Sequence, residues 1–75
     1  GNDRFIPRGD AIYAYSKDGS RRSWVLPEDF RGEALQVFTL TQEGRGPTPD
    51  YALSGDVIQL NLEAGVPVKI LILQP

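Results

Sequence analysis

The chain has 75 residues, a net charge of −2 and neither cysteine nor histidine. A single domain of this size buries only about 60% of the surface its unfolded form exposes, and no disulfide can add to its stability. The missing residue types exclude cysteine-ligated zinc, histidine metal sites, Ser-His-Asp triads and Cys-His dyads, and scattered charge with no basic stripe offers nucleic acid no footprint.

Turn signals recur at intervals of about 8–12 residues, the spacing of an all-β sandwich or barrel. They are "PRGD" at 7–10, "KDGS" at 17–20, "FRGE" at 30–33, "EGRGPTP" at 43–49, "SGD" at 54–56 and "EAGVP" at 63–67. Nothing between them has the length or the 3.6-residue period of a helix. The expected fold is therefore a small antiparallel two-sheet β-sandwich of about 6–8 short strands, in one domain spanning residues 1–75.

The first strand is expected over 3–6 and the second over 10–16, where Ala11, Tyr13 and Tyr15 face away from Ile12 and Ala14. The Asp18-Gly19 pair reads as a hairpin turn leading to a third strand over 22–26, "RSWVL". "PEDF" at 27–30 has a proline followed by two carboxylates, which suits a single helical turn or a plain loop equally. Strand 34–41 sets Leu35 and Val37 against Phe38 and Leu40. Pro47 and Pro49 make 43–49 a loop. A short strand follows at 50–53. "DVIQLNLE" at 56–63 alternates most clearly, with Ile58, Leu60 and Leu62 on one side and Val57, Gln59 and Asn61 on the other. Strand 66–73 is apolar on both faces, as expected of a central strand or of one covered by a neighbour. It is too short to span a bilayer and is interrupted by Lys69, so no membrane partner is expected. No signal peptide is expected ahead of the first strand, and Gly1 is compatible with a remnant of tag cleavage.

Few residues carry chemistry. The Arg8-Gly9-Asp10 tripeptide matches an adhesion motif but reads as an ordinary turn around Gly9. Glu28 and Asp29 are adjacent, so on a strand they would diverge to opposite faces, and glycoside hydrolysis needs two carboxyls facing one bond. Asp18 lacks the further acidic positions of a calcium loop. No catalytic residue, metal ligand or cofactor is expected. The aromatics Trp24, Tyr51 and Tyr15 are the candidates for carbohydrate contact, since a ring face packs on a pyranose. Trp24 is weighted towards the core, Tyr13 and Tyr15 share one strand face, and Tyr51, beside the proline-rich loop, is expected to be the most exposed.

The order Asp3, Arg4, Phe5, Gly9, Asp10, Ile12, Tyr13, Ala14 resembles the segment "D-x-R-F-T-x-K-G-D-x-L-Y-A" that opens the C-terminal β-sandwich of α-L-fucosidases and related glycoside hydrolases, with Arg8 in place of the lysine. Looser similarities follow. "WVLP" at 24–27 sits where the family has a strand leading into "LPSL", "ALQVFTLTQEG" at 34–44 resembles "V-x-S-V-x-L-L-G", and "DVIQLNLEAGVPVKILIL" at 56–73 resembles the family's closing strands. The family's Trp-Pro pair after the first hairpin strand is absent, and "SKDG" stands there instead.

The resemblance implies a non-catalytic accessory domain, excised from the C-terminus of a larger glycoside hydrolase. It would pack on the catalytic barrel of the same polypeptide, with carbohydrate as a further candidate partner, in a periplasmic or extracellular setting. The family's catalytic carboxylates lie on the barrel, so none is carried over here. An autonomous carbohydrate-binding module and an immunoglobulin-like interaction domain are the alternatives.

Overall fold

The computed structural model describes residues 3–74; the expectation about Gly1 lies outside them. Eight strands follow in order: β1 Asp3–Arg8, β2 Ala11–Ser16, β3 Ser20–Val25, β4 Leu35–Thr41, β5 Gly44–Arg45, β6 Tyr51–Ser54, β7 Val57–Leu62 and β8 Val68–Ile72. Between β3 and β4, Glu28–Phe30 forms one 3-10 turn, so the proline-led segment is helical for a single turn. The strands make two antiparallel sheets, one of five in the order β1-β2-β8-β4-β5 and one of three in the order β3-β7-β6. The molecule is a small all-β sandwich.

Alternation along the strands decides the packing. Ile12, Val37, Val68 and Ile70 face inward from the large sheet, and Ile58, Leu60 and Leu62 meet them from the small one, all buried. Ile70 lies at the middle of the large sheet, with Ile12 opposite it on one side and Val37 on the other. Leu26 and Phe30 close one end of this core. They are held there because the Leu26 amide donates to the Asp56 carbonyl at 2.8 Å and Arg31 Nε donates to the Leu26 carbonyl at 2.9 Å. β8 is thus a central strand, with Val68, Ile70 and Ile72 on its inner face and Lys69 and Leu71 on its outer face.

Two expectations are corrected. The Asp18-Gly19 turn does not close a hairpin, because β3 pairs with β7 in the other sheet. β2 is already flanked on both edges, by β1 and β8, so it has no edge left for β3. The turn is instead an arch between the sheets, pinned where the Gly65 amide donates to the Ser16 carbonyl at 2.9 Å. Residues 43–49 are also not wholly loop. β5 continues the β4 hairpin for one pair on each side, Thr41 with Gly44 and Leu40 with Arg45. Beyond these pairs the regular ladder gives way to a bulge, in which the Gly46 amide donates to the Thr39 carbonyl at 2.7 Å and the Thr39 amide donates to the Pro47 carbonyl at 2.9 Å.

Gly19 sits where only glycine fits well. Its φ is +83°, and an added Cβ would lie 3.2 Å from the Ala64 nitrogen and 3.3 Å from the Leu62 oxygen, both backbone atoms. Gly9 also has positive φ but open space around it. Gly19→Ala is therefore expected to cost about 2–3 kcal/mol and Gly9→Ala about 1 kcal/mol. Urea midpoints would rank the two, and equal losses would mean that the arch tolerates the added carbon.

Candidate functional site

The carbohydrate-contact candidates are not brought together. Trp24 lies on the inner face of β3, at one edge of the small sheet, and Tyr51 on the inner face of β6, at the opposite edge. Tyr15 lies on β2, in the other sheet. Its strand position puts it on that sheet's outer surface, since Ala14 and Ser16 beside it are buried. No flat platform of two of these rings exists.

Trp24 has a different partner. Its ring stacks on Phe5 of β1, with centroids 5.0 Å apart and planes 7° from parallel. The Arg22 guanidinium carbon lies 5.5 Å from the same ring's centroid. Phe5 and Trp24 both pack against the core while remaining half-exposed. They close the seam where edge strand β1 of one sheet meets edge strand β3 of the other.

Asp3 secures the same seam. Its carboxylate accepts from Ser20 Oγ at 2.9 Å and from Arg22 Nη1 at 3.1 Å, with the side chain only 12% exposed. The Ser16 hydroxyl, directly opposite on β2, is buried and meets no acceptor at full hydrogen-bond geometry. The Asp3 carboxyl is held below the usual carboxylate range, first by the neighbouring Ser16 hydroxyl and then by the hydrogen bond from Arg22.

The sign follows from linkage. A carboxyl whose folded pKa lies below its unfolded value stabilises the fold above about pH 4, and that contribution fades as pH falls through the folded pKa. Asp3→Asn should therefore lower the melting temperature at pH 7, and the gap to the parent chain should shrink as pH drops below about 4. A gap that stayed constant down to pH 2 would remove Asp3 from the seam.

Tyr51 is half-buried and packed against the core, because it shares the inward register of Leu60 opposite it. The proline-rich loop covers a cleft of about 250 Å³ beside it, lined by Thr39, Pro47, Pro49, Asp50, Asn61 and Glu63 among others. No aromatic ring lines this cleft, so it has no stacking surface for a sugar. Asp50 at its rim pairs with Arg21 at 3.5 Å, both side chains largely exposed, so the contact contributes little.

Arg8, Gly9 and Asp10 are exposed at the β1–β2 turn. The turn is tight: Arg8 pairs with Ala11, leaving a two-residue loop in which Gly9 takes φ 63°. Ser54-Gly55-Asp56 builds the same loop between β6 and β7, with Ser54 opposite Val57 and Gly55 at φ 59°. The Gly-Asp pair is thus this chain's means of making a two-residue hairpin. Glu28 and Asp29 are exposed on the 3-10 turn. Among the described residues, no three carboxylates gather closely enough to hold a metal.

The surface that sequence reasoning missed is the outer face of the five-stranded sheet. In register across it run Ile6, Tyr13, Lys69 and Phe38, each directly opposite the next. The neighbouring row is Arg8, Ala11, Leu71 and Gln36. Lys69 Nζ lies 5.5 Å from the Tyr13 ring centroid, and the Arg45 guanidinium lies 4.3 Å from that of Phe38. Phe38, although outward, is only 7% exposed, while Ile6 at 48% and Leu73 at 51% stand clear. The signal was available: period-2 alternation places Arg4, Ile6 and Arg8 on one face of β1.

Comparison with protein-family models, with curated protein sequences and with solved structures gave no significant match.

Proposed function

We propose that the chain is a non-catalytic accessory β-sandwich of a larger glycoside hydrolase of the α-L-fucosidase type, which stabilises a catalytic (β/α) barrel by packing against it. The observation that carries this reading is the outer face of the five-stranded sheet. It holds Tyr13, Tyr15, Leu40 and Leu71 half-buried and Ile6 and Leu73 exposed. A face that carries these apolar side chains, on a sheet whose other side is already core, suits burial against a neighbour. The segment resembling the family's opening motif supports the reading too, since Phe5, Gly9, Asp10 and Tyr13 all belong to the β1–β2 hairpin of that sheet.

The autonomous carbohydrate-binding module finds less support. Trp24 spends a face on Phe5, and Tyr15 and Tyr51 stand apart from it. Two measurements test the choice. The full polypeptide encoded by the gene should contain a (β/α)-repeating catalytic region of the usual 200 to 400 or more residues ahead of this chain. Titrating the 75-residue chain with mono- and oligosaccharides should leave its tryptophan emission unchanged. A gene with no such region would end the accessory-domain reading, and saturable quenching would favour the binding module.

A further inference from the structure

We propose that the outer face of the five-stranded sheet docks a domain of the same polypeptide whose contact surface combines apolar groups with carboxylates. The inference rests on the accessory-domain reading and adds the chemistry of the partner surface.

Charge segregation is the first argument. The outward strand positions of this face carry Arg4, Arg8, Lys69 and Arg45, four of the chain's eight basic residues. They carry no carboxylate. Asp3 is the one acidic residue within any strand of the structure, and it points inward to the seam. Apart from Asp3, the other positions hold four basic residues against nine acidic ones, of which Asp10 and Glu43 lie in the hairpin turns that border this sheet, although the chain as a whole is only −2. A positive face on an otherwise acidic molecule is complementary to acidic surfaces and unfavourable for its own copy. A symmetric dimer through this face would set the same cations against each other.

The second argument is how the cations are held. Arg45 lies against Phe38 and Lys69 near Tyr13. Cation–π contact covers the ring and fixes the charged group without using its N–H donors. Those donors remain to meet carboxylates, and no side-chain hydrogen bond or ion pair among the described residues engages Arg4, Arg8, Arg45 or Lys69.

The third argument separates a protein surface from an acidic polysaccharide, the other occupant such charges would attract. The face also exposes aliphatic groups, Ile6 and Leu73, with Leu71 and Leu40 half-exposed between the cations. A polyanionic glycan gains nothing from these. A protein surface that carries both apolar groups and carboxylates uses both.

Lys69 and Lys17 are the only lysines in the chain, which makes the test direct. Lys17 is exposed on the arch between the sheets, away from the face, and serves as an internal standard. Amine acylation followed by peptide mass spectrometry is run on the 75-residue chain and on the full polypeptide from its gene. Zero-length carbodiimide coupling is run on the latter. Lys69 acylation relative to Lys17 should fall at least fivefold in the full polypeptide, and coupling should join Lys69 to an Asp or Glu outside residues 1–75.

Protection of Lys69 without any such cross-link would mean a covered face with no carboxylate opposite Lys69. That overturns this proposal and leaves the accessory-domain reading standing. Unchanged Lys69 reactivity in a polypeptide that does contain a catalytic region would overturn the docking face. Protection of Lys69 in the 75-residue chain by polygalacturonate or dextran sulfate at 150 mM salt, absent in an Arg8→Glu variant that melts normally, would reassign the face to a polyanion.

Discussion

Replacing Ile70 with alanine should lower the melting temperature of the domain by roughly 10–40 °C. Ile70 is fully buried and faces Ile12 and Val37 across two strand pairings at the centre of the large sheet. Truncating a buried isoleucine to alanine costs about 2–5 kcal/mol, the upper part where neighbours cannot collapse into the space. Here the neighbours are fixed by hydrogen-bonded strands on both sides, so collapse is restricted. A chain of this length has a total stability of roughly 4–11 kcal/mol, and each lost kcal/mol moves the midpoint of a small domain by about 4–8 °C. Far-UV circular dichroism on heating gives the answer. A loss below about 4 °C would mean that the two sheets are not packed through this residue.

Removing the ring of Trp24 should cost about 2–3 kcal/mol, below the full cost of a buried tryptophan because the side chain is only half-buried. The diagnostic result is the coupling. Phe5 and Trp24 stack face to face, one from each sheet. In a double-mutant cycle with Phe5→Ala and Trp24→Ala, the interaction energy should come out at about 0.5–1.5 kcal/mol, the range for aromatic pairs beyond their area burial. Additive losses would show two rings that merely cover the core separately. Chemical denaturation followed by circular dichroism measures all four chains, since tryptophan emission is lost in two of them.

The strands were legible because alternation is a local property. Ile58, Leu60 and Leu62 declare an inward face of β7 whatever β7 pairs with. Strand bounds shifted by one or two residues where the apolar pattern ran beyond the ladder, as at Val66 and Pro67 before β8. Pairing was not legible, because it depends on which edges remain free. Nothing in "SKDGS" tells a hairpin from an arch; that β2 lies between β1 and β8 decides it.

The direction of Tyr51 was not legible for a related reason. A proline-rich loop precedes it, and only its register opposite Leu60 turns it inward. The cationic face was legible in part. Arg4 and Arg8 share a face by spacing alone, but Lys69 and Arg45 join them only through the register of non-neighbouring strands. The Arg8-Gly9-Asp10 tripeptide shows the opposite hazard, a short string that looks chemical. Its partner Ser54-Gly55-Asp56 makes the same turn with no arginine at all.

The position of β8 governs the order in which the molecule can be assembled. It is the last of these eight strands to be synthesised, yet it lies between β2 and β4. Until it emerges from the ribosome, the β1–β2 and β4–β5 hairpins have no ladder joining them, and isolated two-stranded hairpins are marginal in water. Vectorial synthesis therefore cannot build the large sheet piecemeal. The nascent chain waits with two open strand edges and is committed in a single late step. Chaperone dependence and aggregation during expression should be set by how long that interval lasts.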